Sequence, residues 1–253
     1  MNKIINSDAL EALRTLPDSC CRTCITSPPY YGLRDYGADG QIGLEDTPDQ
    51  YIENLVKIFR EVRRVLNDDG TLWVNIGDSY TQKNLNGIPW LLAFALRSDG
   101  WYLRSDIIWQ KPNAMPESAK DRPTRAHEYI FLLSKSSRYY YDAEAVKEPA
   151  VGFYNAAPAG SAGTGKPNAR RRGNSRPYKG AHFATYPEEL VRPCILAGSR
   201  PGDTVLDPFA GSGTTGAVAA QEGRNFIGIE INPDYCEIIR QRLDACCRKG
   251  AAT

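Results

Sequence analysis

Ser27-Pro28-Pro29-Tyr30 closes an apolar run and holds the residue types with the clearest chemistry in the chain. Ser27 offers a hydroxyl oxygen and Pro28 a backbone carbonyl, two acceptors for the hydrogens of an amino group. Pro28 and Pro29 have fixed φ and no N–H, so the corner is stiff and presents carbonyls. Stiffness matters where positioning supplies much of the rate. Tyr30 adds a flat face. Stacking an unpaired base on an aromatic ring is worth about 1–3 kcal/mol. That offsets part of the few kcal/mol, roughly, needed to extrude a nucleotide from a duplex. These residues suit alkylation of an exocyclic amino nitrogen on a nucleobase. Its lone pair is conjugated with the ring and must be drawn out before it can attack. Taken alone, the same tetrapeptide is also an ordinary Pro-Pro turn after a strand, with a surface tyrosine.

A second constellation stands far downstream. Thr204 to Leu206 is a short β-forming run that ends in Asp207 and the turn Pro208-Phe209-Ala210-Gly211-Ser212-Gly213. Thr214 to Ala220 continues as a small-residue helix. Strand, glycine turn and helix form the layout of a nucleotide-binding crossover. Gly211 and Gly213 let backbone pass close to a ligand. Asn225 to Glu230 is a second strand with an acid at its carboxyl end, where such folds bind ribose hydroxyls. The turn reads G-S-G-T-T-G, which also matches a dinucleotide fingerprint. Spacing alone leaves NAD open; the flanking D-P-F-A and the upstream S-P-P-Y favour another ligand.

Together, and in this order, S-P-P-Y and D-P-F-A-G-S-G-T-T resemble the two signature motifs of the amino-methylating DNA methyltransferases. With the catalytic motif first, the arrangement is similar to their permuted β class. The resemblance implies a Rossmann-like α/β fold with a mainly parallel seven-stranded sheet, its seventh strand antiparallel. It implies S-adenosyl-L-methionine as cofactor and direct methyl transfer from sulfur to nitrogen, with the target base flipped out. By that resemblance Ser27, Pro28, Pro29 and Tyr30 form the catalytic pocket. Phe209, Gly211 and Gly213 contact the cofactor, with Asp207, Ser212, Thr214 and Asn232 beside them, and Glu230 holds the ribose. Asn6-Ser7-Asp8 resembles a family segment that places Asp8 near the cofactor. His182 to Pro187 resembles the segment over its methionine end, which brings in Phe183 and Thr185. Asp106 to Asn113 resembles a stretch between the catalytic and recognition regions. A serine heading the tetrapeptide is more typical of cytosine-N4 enzymes, and Asp or Asn of adenine-N6 enzymes. The first expectation is therefore N4 of cytosine in DNA, the second N6 of adenine. An RNA or protein-amide methyltransferase, or an inactive DNA-binding module, fits less well.

At 253 residues and 42% hydrophobic content, the chain suits one α/β domain with a modest insertion. Residues 1–109 would be the catalytic half and 181–253 the cofactor half. Residues 110–180 would be a DNA-recognition insertion, part of which (127–141) returns to the sheet. A net charge of +1 gives no global nucleic-acid signature, so DNA-binding charge must be local. No run of eighteen apolar residues exists, so no membrane association is expected. The start is too short and polar for a secretory signal, and a cytoplasmic protein is the expectation. The seven cysteines read as reduced thiols. Cys21-Arg-Thr-Cys24 has metal spacing but no matching second pair, so it reads as strand and no metal is expected. Pro193-Cys194 is similar to the nucleophile signature of carbon-5 cytosine enzymes, but lies in a helical pattern and reads as a buried helix cysteine.

The elements that must position these residues follow from periodicity and turn chemistry. Strands are expected at 3–5, 22–26, 71–76, 101–109, 128–133, 204–206 and 226–231. Helices are expected at 8–16, 49–66, 89–96, 188–197, 214–222 and 233–248. Asn67-Asp68-Asp69-Gly70 reads as the stop after the second helix. The connection from Gln110 to His127 carries Lys111, Arg122 and Arg125 and reads as DNA-facing, or as solvated polar surface. From Val151 to Gly180 the chain is poor in apolar residues. It carries Arg170, Arg171, Arg172, Arg176 and Lys179, which fits a mobile arm on DNA phosphates or a solubilising linker. The expected partners are double-stranded DNA and a cognate restriction endonuclease.

Overall fold

The computed structural model of the chain describes residues 2–35, 37, 40–111, 114, 117–148 and 186–250, with side chains to 246. Strand β1 (Asn2–Asn6) leads into α1 (Ala9–Arg14), whose N-terminus is capped by the Asp8 carboxylate accepting from the Glu11 N–H at 3.0 Å. Strand β2 (Cys21–Thr26) ends at the S-P-P-Y corner. Helix α2 (Pro48–Val65) starts at a Thr47 cap with Pro48 in its first turn. It buries Tyr51, Leu55, Ile58, Phe59, Val62 and Val65, spaced three and four apart on one face. Strand β3 (Leu66–Ile76) follows directly. Then come a small hairpin, β4 (Tyr80–Thr81) and β5 (Asn84–Leu85), and α3 (Ile88–Ser98). Strands β6 (Tyr102–Gln110) and β7 (His127–Ser134) flank the basic connection. The last part is α4 (Glu188–Gly198), β8 (Thr204–Asp207), α5 (Thr214–Gln221), β9 (Asn225–Glu230) and α6 (Pro233–Gly250).

Seven strands form one sheet in the order β1-β9-β8-β2-β3-β7-β6. The first five are parallel, and β7 runs antiparallel between β3 and β6. The mainly parallel Rossmann-like sheet and its reversed strand agree with the sequence expectation. One apolar cluster, including Leu13, Leu55, Phe59 and Leu92, packs α1, α2 and α3 on one face. A second, including Leu190, Ile195, Val218 and Ile239, packs α4, α5 and α6 on the other. From β8 the chain moves to β9 on one side; from β2 it moves to β3 on the other. The carboxyl ends of β8 and β2 therefore border the switch point, where open α/β sheets bind ligands.

Two local expectations differ from the structure. Asn67 to Gly70 does not separate helix from strand. Leu66, fully buried, is already extended and pairs with Cys21, and the next pair joins Thr23 to Thr71. These four residues are an irregularity inside β3, where Asp69 forms an ion pair with Arg22. The β4–β5 hairpin was not expected at all: its turn residues Gln82 and Lys83 take positive φ, 50° and 69°, without the usual glycine or asparagine. Cys21, Cys24 and Cys194 are buried core residues of β2 and α4. Among the described residues, no helix is long and apolar enough to cross a membrane.

Candidate active site

The two motifs meet at the switch point. Thr26, the last residue of β2, donates its hydroxyl to Asp207 Oδ1 at 2.7 Å, although the two lie 181 positions apart. Asp207 is 1% exposed. Its carboxylate also accepts from the Phe209 N–H at 3.1 Å, the Thr215 hydroxyl at 2.7 Å and the Tyr186 hydroxyl at 3.2 Å. Burial pushes its pKa up, and these hydrogen bonds oppose the rise. Asp207 lies beneath the cleft rather than on its wall, tying the S-P-P-Y strand to the glycine turn.

Above it opens a cleft lined by residues of both motifs. Ser27 and Pro29 line it together with Phe209, Gly211, Ser212 and Thr214, and Asp8, Glu230 and Tyr186 are also on its wall. Glu230 is 9% exposed. Its Oε2 accepts from the Gly211 N–H at 2.8 Å and its Oε1 from the Asn232 N–H at 2.9 Å. Burial raises its pKa against those two bonds. Each oxygen keeps a further acceptor position, so the carboxylate can still take a hydroxyl pair. Apolar walls (Pro208, Phe209, Ile229, Ile231) beside two carboxylates suit a purine nucleoside whose ribose hydroxyls face an acid. The residues present thus fit S-adenosylmethionine.

Other residues assigned to the cofactor from sequence lie off the cleft wall. Gly213 caps the start of α5 with φ 78°, packed on Ile239. Asn232 holds Glu230 through its backbone N–H and accepts from the Asp234 N–H at 2.9 Å. Phe183 and Thr185 lie outside the described residues. Gly216 shows why the third glycine recurs in such turns: a Cβ there would meet the Phe226 ring at 2.6 Å.

Around Ser27 the structure assembles a polar cluster. The Tyr30 hydroxyl donates to Glu128 Oε2 at 2.7 Å and accepts from Asn75 Nδ2 at 2.9 Å. The same Asn75 nitrogen donates to Glu128 at 3.0 Å and lies 3.4 Å from Ser27 Oγ. Ser27 donates toward the Tyr30 hydroxyl at 3.5 Å. Burial and the nearby Glu128 charge push the Tyr30 pKa well up, so it remains a neutral phenol. Its ring lies against Gly77, where a Cβ would come within 2.6 Å. The buried Tyr51 donates its hydroxyl to the Pro29 carbonyl at 2.7 Å and braces the corner from behind. Pro28 is buried within it. Sequence reading missed Asn75, Glu128, Tyr51 and Tyr186. The signal for Glu128 was there: an acid among apolar residues of a strand asks for a partner.

Among the described residues, the three cations expected to face DNA have protein partners. Lys111 forms an ion pair with Glu128 and lies 4.8 Å from the Trp109 ring centre. Arg122 stacks on Tyr80 at 4.0 Å and pairs with Glu117. Arg125, 16% exposed, stands 3.4 Å from the buried Asp78 carboxylate. Asp78 in turn accepts from the N–H groups of Gly87 and Ile88 at the start of α3. Arg170, Arg171, Arg172, Arg176 and Lys179 lie outside the described residues.

Known proteins carry the same combination of features. Residues 21–241 match the family described as DNA methylase. The type II methyltransferase M.Cfr9I of Citrobacter freundii is 52% identical, across 95% of this chain and 87% of its own length. M.SmaI of Serratia marcescens, also a type II methyltransferase, is 50% identical across 95% and 90%. A Thermus thermophilus protein, to which a DNA modification methylase role has been attributed, was solved with S-adenosyl-L-methionine. It superposes with a TM-score of 0.72 at 26% identity, across 97% of this chain and 96% of that one. PvuII DNA methyltransferase, described as cytosine-N4-specific, shares the fold with a TM-score of 0.77 at 22% identity, across 98% and 91%. With motif order, sheet topology, cleft and relatives in agreement, the chain belongs to the S-adenosylmethionine-dependent DNA methylases that modify base amino groups.

Proposed function

We propose that this protein methylates the exocyclic N4 amino group of cytosine within a specific sequence of double-stranded DNA. We further propose that it serves as the modification partner of a restriction endonuclease. One observation supports the chemistry above the others: Ser27 and residues of the Phe209–Thr214 turn line one cleft, beside the Thr26–Asp207 bond. The choice of cytosine rests on serine heading the tetrapeptide. The two relatives' type II names support the restriction–modification setting.

The chain's residues divide the work. Glu230 and Asp8 hold the nucleoside end of the donor, and Phe209 walls its apolar part. S-adenosylmethionine, when bound, supplies an electrophilic methyl group. The target nucleotide leaves the duplex, and its base lies beside Tyr30. Ser27 Oγ and the Pro28 carbonyl accept from the amino group, which turns the nitrogen lone pair toward the donor. The Pro29 carbonyl is already engaged by Tyr51, which leaves this role to Pro28. Water is excluded by the base itself and by the apolar walls.

The test is direct. Purified protein, cofactor and unmethylated plasmid DNA are incubated, and the DNA is digested to nucleosides for mass spectrometry. N4-methylcytosine is the expected product. N6-methyladenine would overturn the choice of base, and no methylated nucleoside would overturn the function.

A further inference from the structure

Behind Ser27 stands a carboxylate that neither motif contains. Strand β7 is antiparallel, so its first residues lie level with the carboxyl end of β3, where Ile76 pairs with Tyr129. That reversal delivers Glu128 to the catalytic edge of the sheet. Its residue exposure is 8%, and both oxygens are engaged: Oε2 by Tyr30 and Asn75, Oε1 by Lys111.

The directions of these bonds matter. A phenol has one proton, and Tyr30 gives it to Glu128 at 2.7 Å. Toward Ser27, Tyr30 can therefore only accept. The Ser27 hydroxyl donates toward Tyr30, one of its lone pairs faces Asn75 Nδ2 at 3.4 Å, and the other is left for the cleft. The result is a one-way chain of donors, Ser27 to Tyr30 to Glu128, with Asn75 holding its members together. Its weak link is the 3.5 Å between Ser27 and Tyr30. Such bonds often tighten only in the reacting complex.

We propose that Glu128 is the terminal proton acceptor of the methyl transfer, reached from Ser27 through the Tyr30 hydroxyl. The inference rests on the amino-methyltransferase reading above. As the amino nitrogen bonds to the methyl carbon, the carbon–sulfur bond breaks and its electron pair stays on sulfur. The nitrogen then holds one proton too many. That proton passes to Ser27 Oγ while the Ser27 proton moves to Tyr30 and the Tyr30 proton to Glu128. A neutral methylamine and a thioether remain, and Glu128 ends protonated. Between turnovers it loses the proton to solvent beside the partly exposed Lys111. Tyr30 thereby gains a role distinct from stacking.

The test compares wild type, Tyr30→Phe and Glu128→Gln. Donor binding is measured by calorimetry, folding by thermal melts, and methyl transfer by single-turnover rates on a duplex holding the mapped site. Tyr30→Phe keeps the ring and breaks the chain. Donor affinity should stay within about twofold while transfer slows about 10²-fold, the usual worth of one positioned proton transfer. In mixtures of H2O and D2O the wild-type rate should show a curved proton inventory, because several protons move together. Glu128→Gln should slow transfer similarly. A Tyr30→Phe enzyme at the wild-type rate would overturn the proposal. So would a flat or linear wild-type inventory, a result that stands even where a variant folds poorly. Failure here is separable from failure of the function, since wild type would still methylate DNA.

Discussion

Replacing Asp207 separates the cost of its charge from the value of its position. The carboxylate accepts four hydrogen bonds while almost fully buried. Bonds to a charged group are worth about 1.5–3 kcal/mol each, but burying the charge costs several kcal/mol, roughly. The raised pKa says that burial outweighs the bonds. Asn keeps one oxygen for the Thr26 hydroxyl and the Phe209 N–H. Its amide nitrogen faces Thr215 and Tyr186, whose hydroxyls can turn to accept. Asp207→Asn should therefore lose no more than about 1.5 kcal/mol, or about 3–6 °C in melting temperature for a chain of this size. Asp207→Ala strands the fixed Phe209 N–H and the Thr26 hydroxyl at about 1–3 kcal/mol each. It should melt about 4–24 °C below wild type, about 12 °C at mid-range. The pH dependence has a definite sign. A carboxylate whose folded pKa is raised contributes stability that is lost as pH rises through that value. Wild type should gain on Asp207→Asn as pH falls from neutral. Thermal melts across pH check both points. Equal losses for Asn and Ala, or a margin that shrinks on acidification, would refute the reasoning.

Two further predictions concern the cofactor side. Gly216→Ala drives a Cβ to 2.6 Å from Phe226. The overpacking, about 1–3 kcal/mol, should outweigh the helix gain of about 1 kcal/mol. Adding Phe226→Leu should recover most of the loss in denaturant titrations; strict additivity would contradict the contact. Glu230→Gln sets an amide donor against the N–H of Gly211 or of Asn232, at about 1–3 kcal/mol. Calorimetric donor binding should weaken about fivefold or more, and an unchanged affinity would remove Glu230 from the site.

What the sequence shows of this site depends on how far apart the interacting residues lie. Strands, helices and the glycine turn are local matters of periodicity and φ, so the elements and a mainly parallel sheet could be read from residues close together; the reversed strand came only from the family resemblance, and the strand order that sets the switch point from the structure. The β4–β5 hairpin could not, because Gln82 and Lys83 give no hint of their left-handed backbone. The polar cluster behind Ser27 joins residues from two strands and a corner, and only the reversal of β7 brings Glu128 there. The same applies to charge. Lys111 and Arg125 look available for phosphate in a list of cations, yet the fold sets each beside a buried carboxylate. Asp207 stands in the expected segment but serves another purpose. Its burial, invisible in sequence, makes it a tie between strands.

The most direct measurement is a crystal structure with the spent cofactor, S-adenosylhomocysteine, and a duplex carrying the target site. The adenosine should lie along Phe209 with its ribose on Glu230, and the sulfur should point at Ser27. The extruded amino nitrogen should then stand within about 3–3.5 Å of where the methyl carbon would be. A sulfur directed away from Ser27, or a flipped base lodged outside this cleft, would contradict the account.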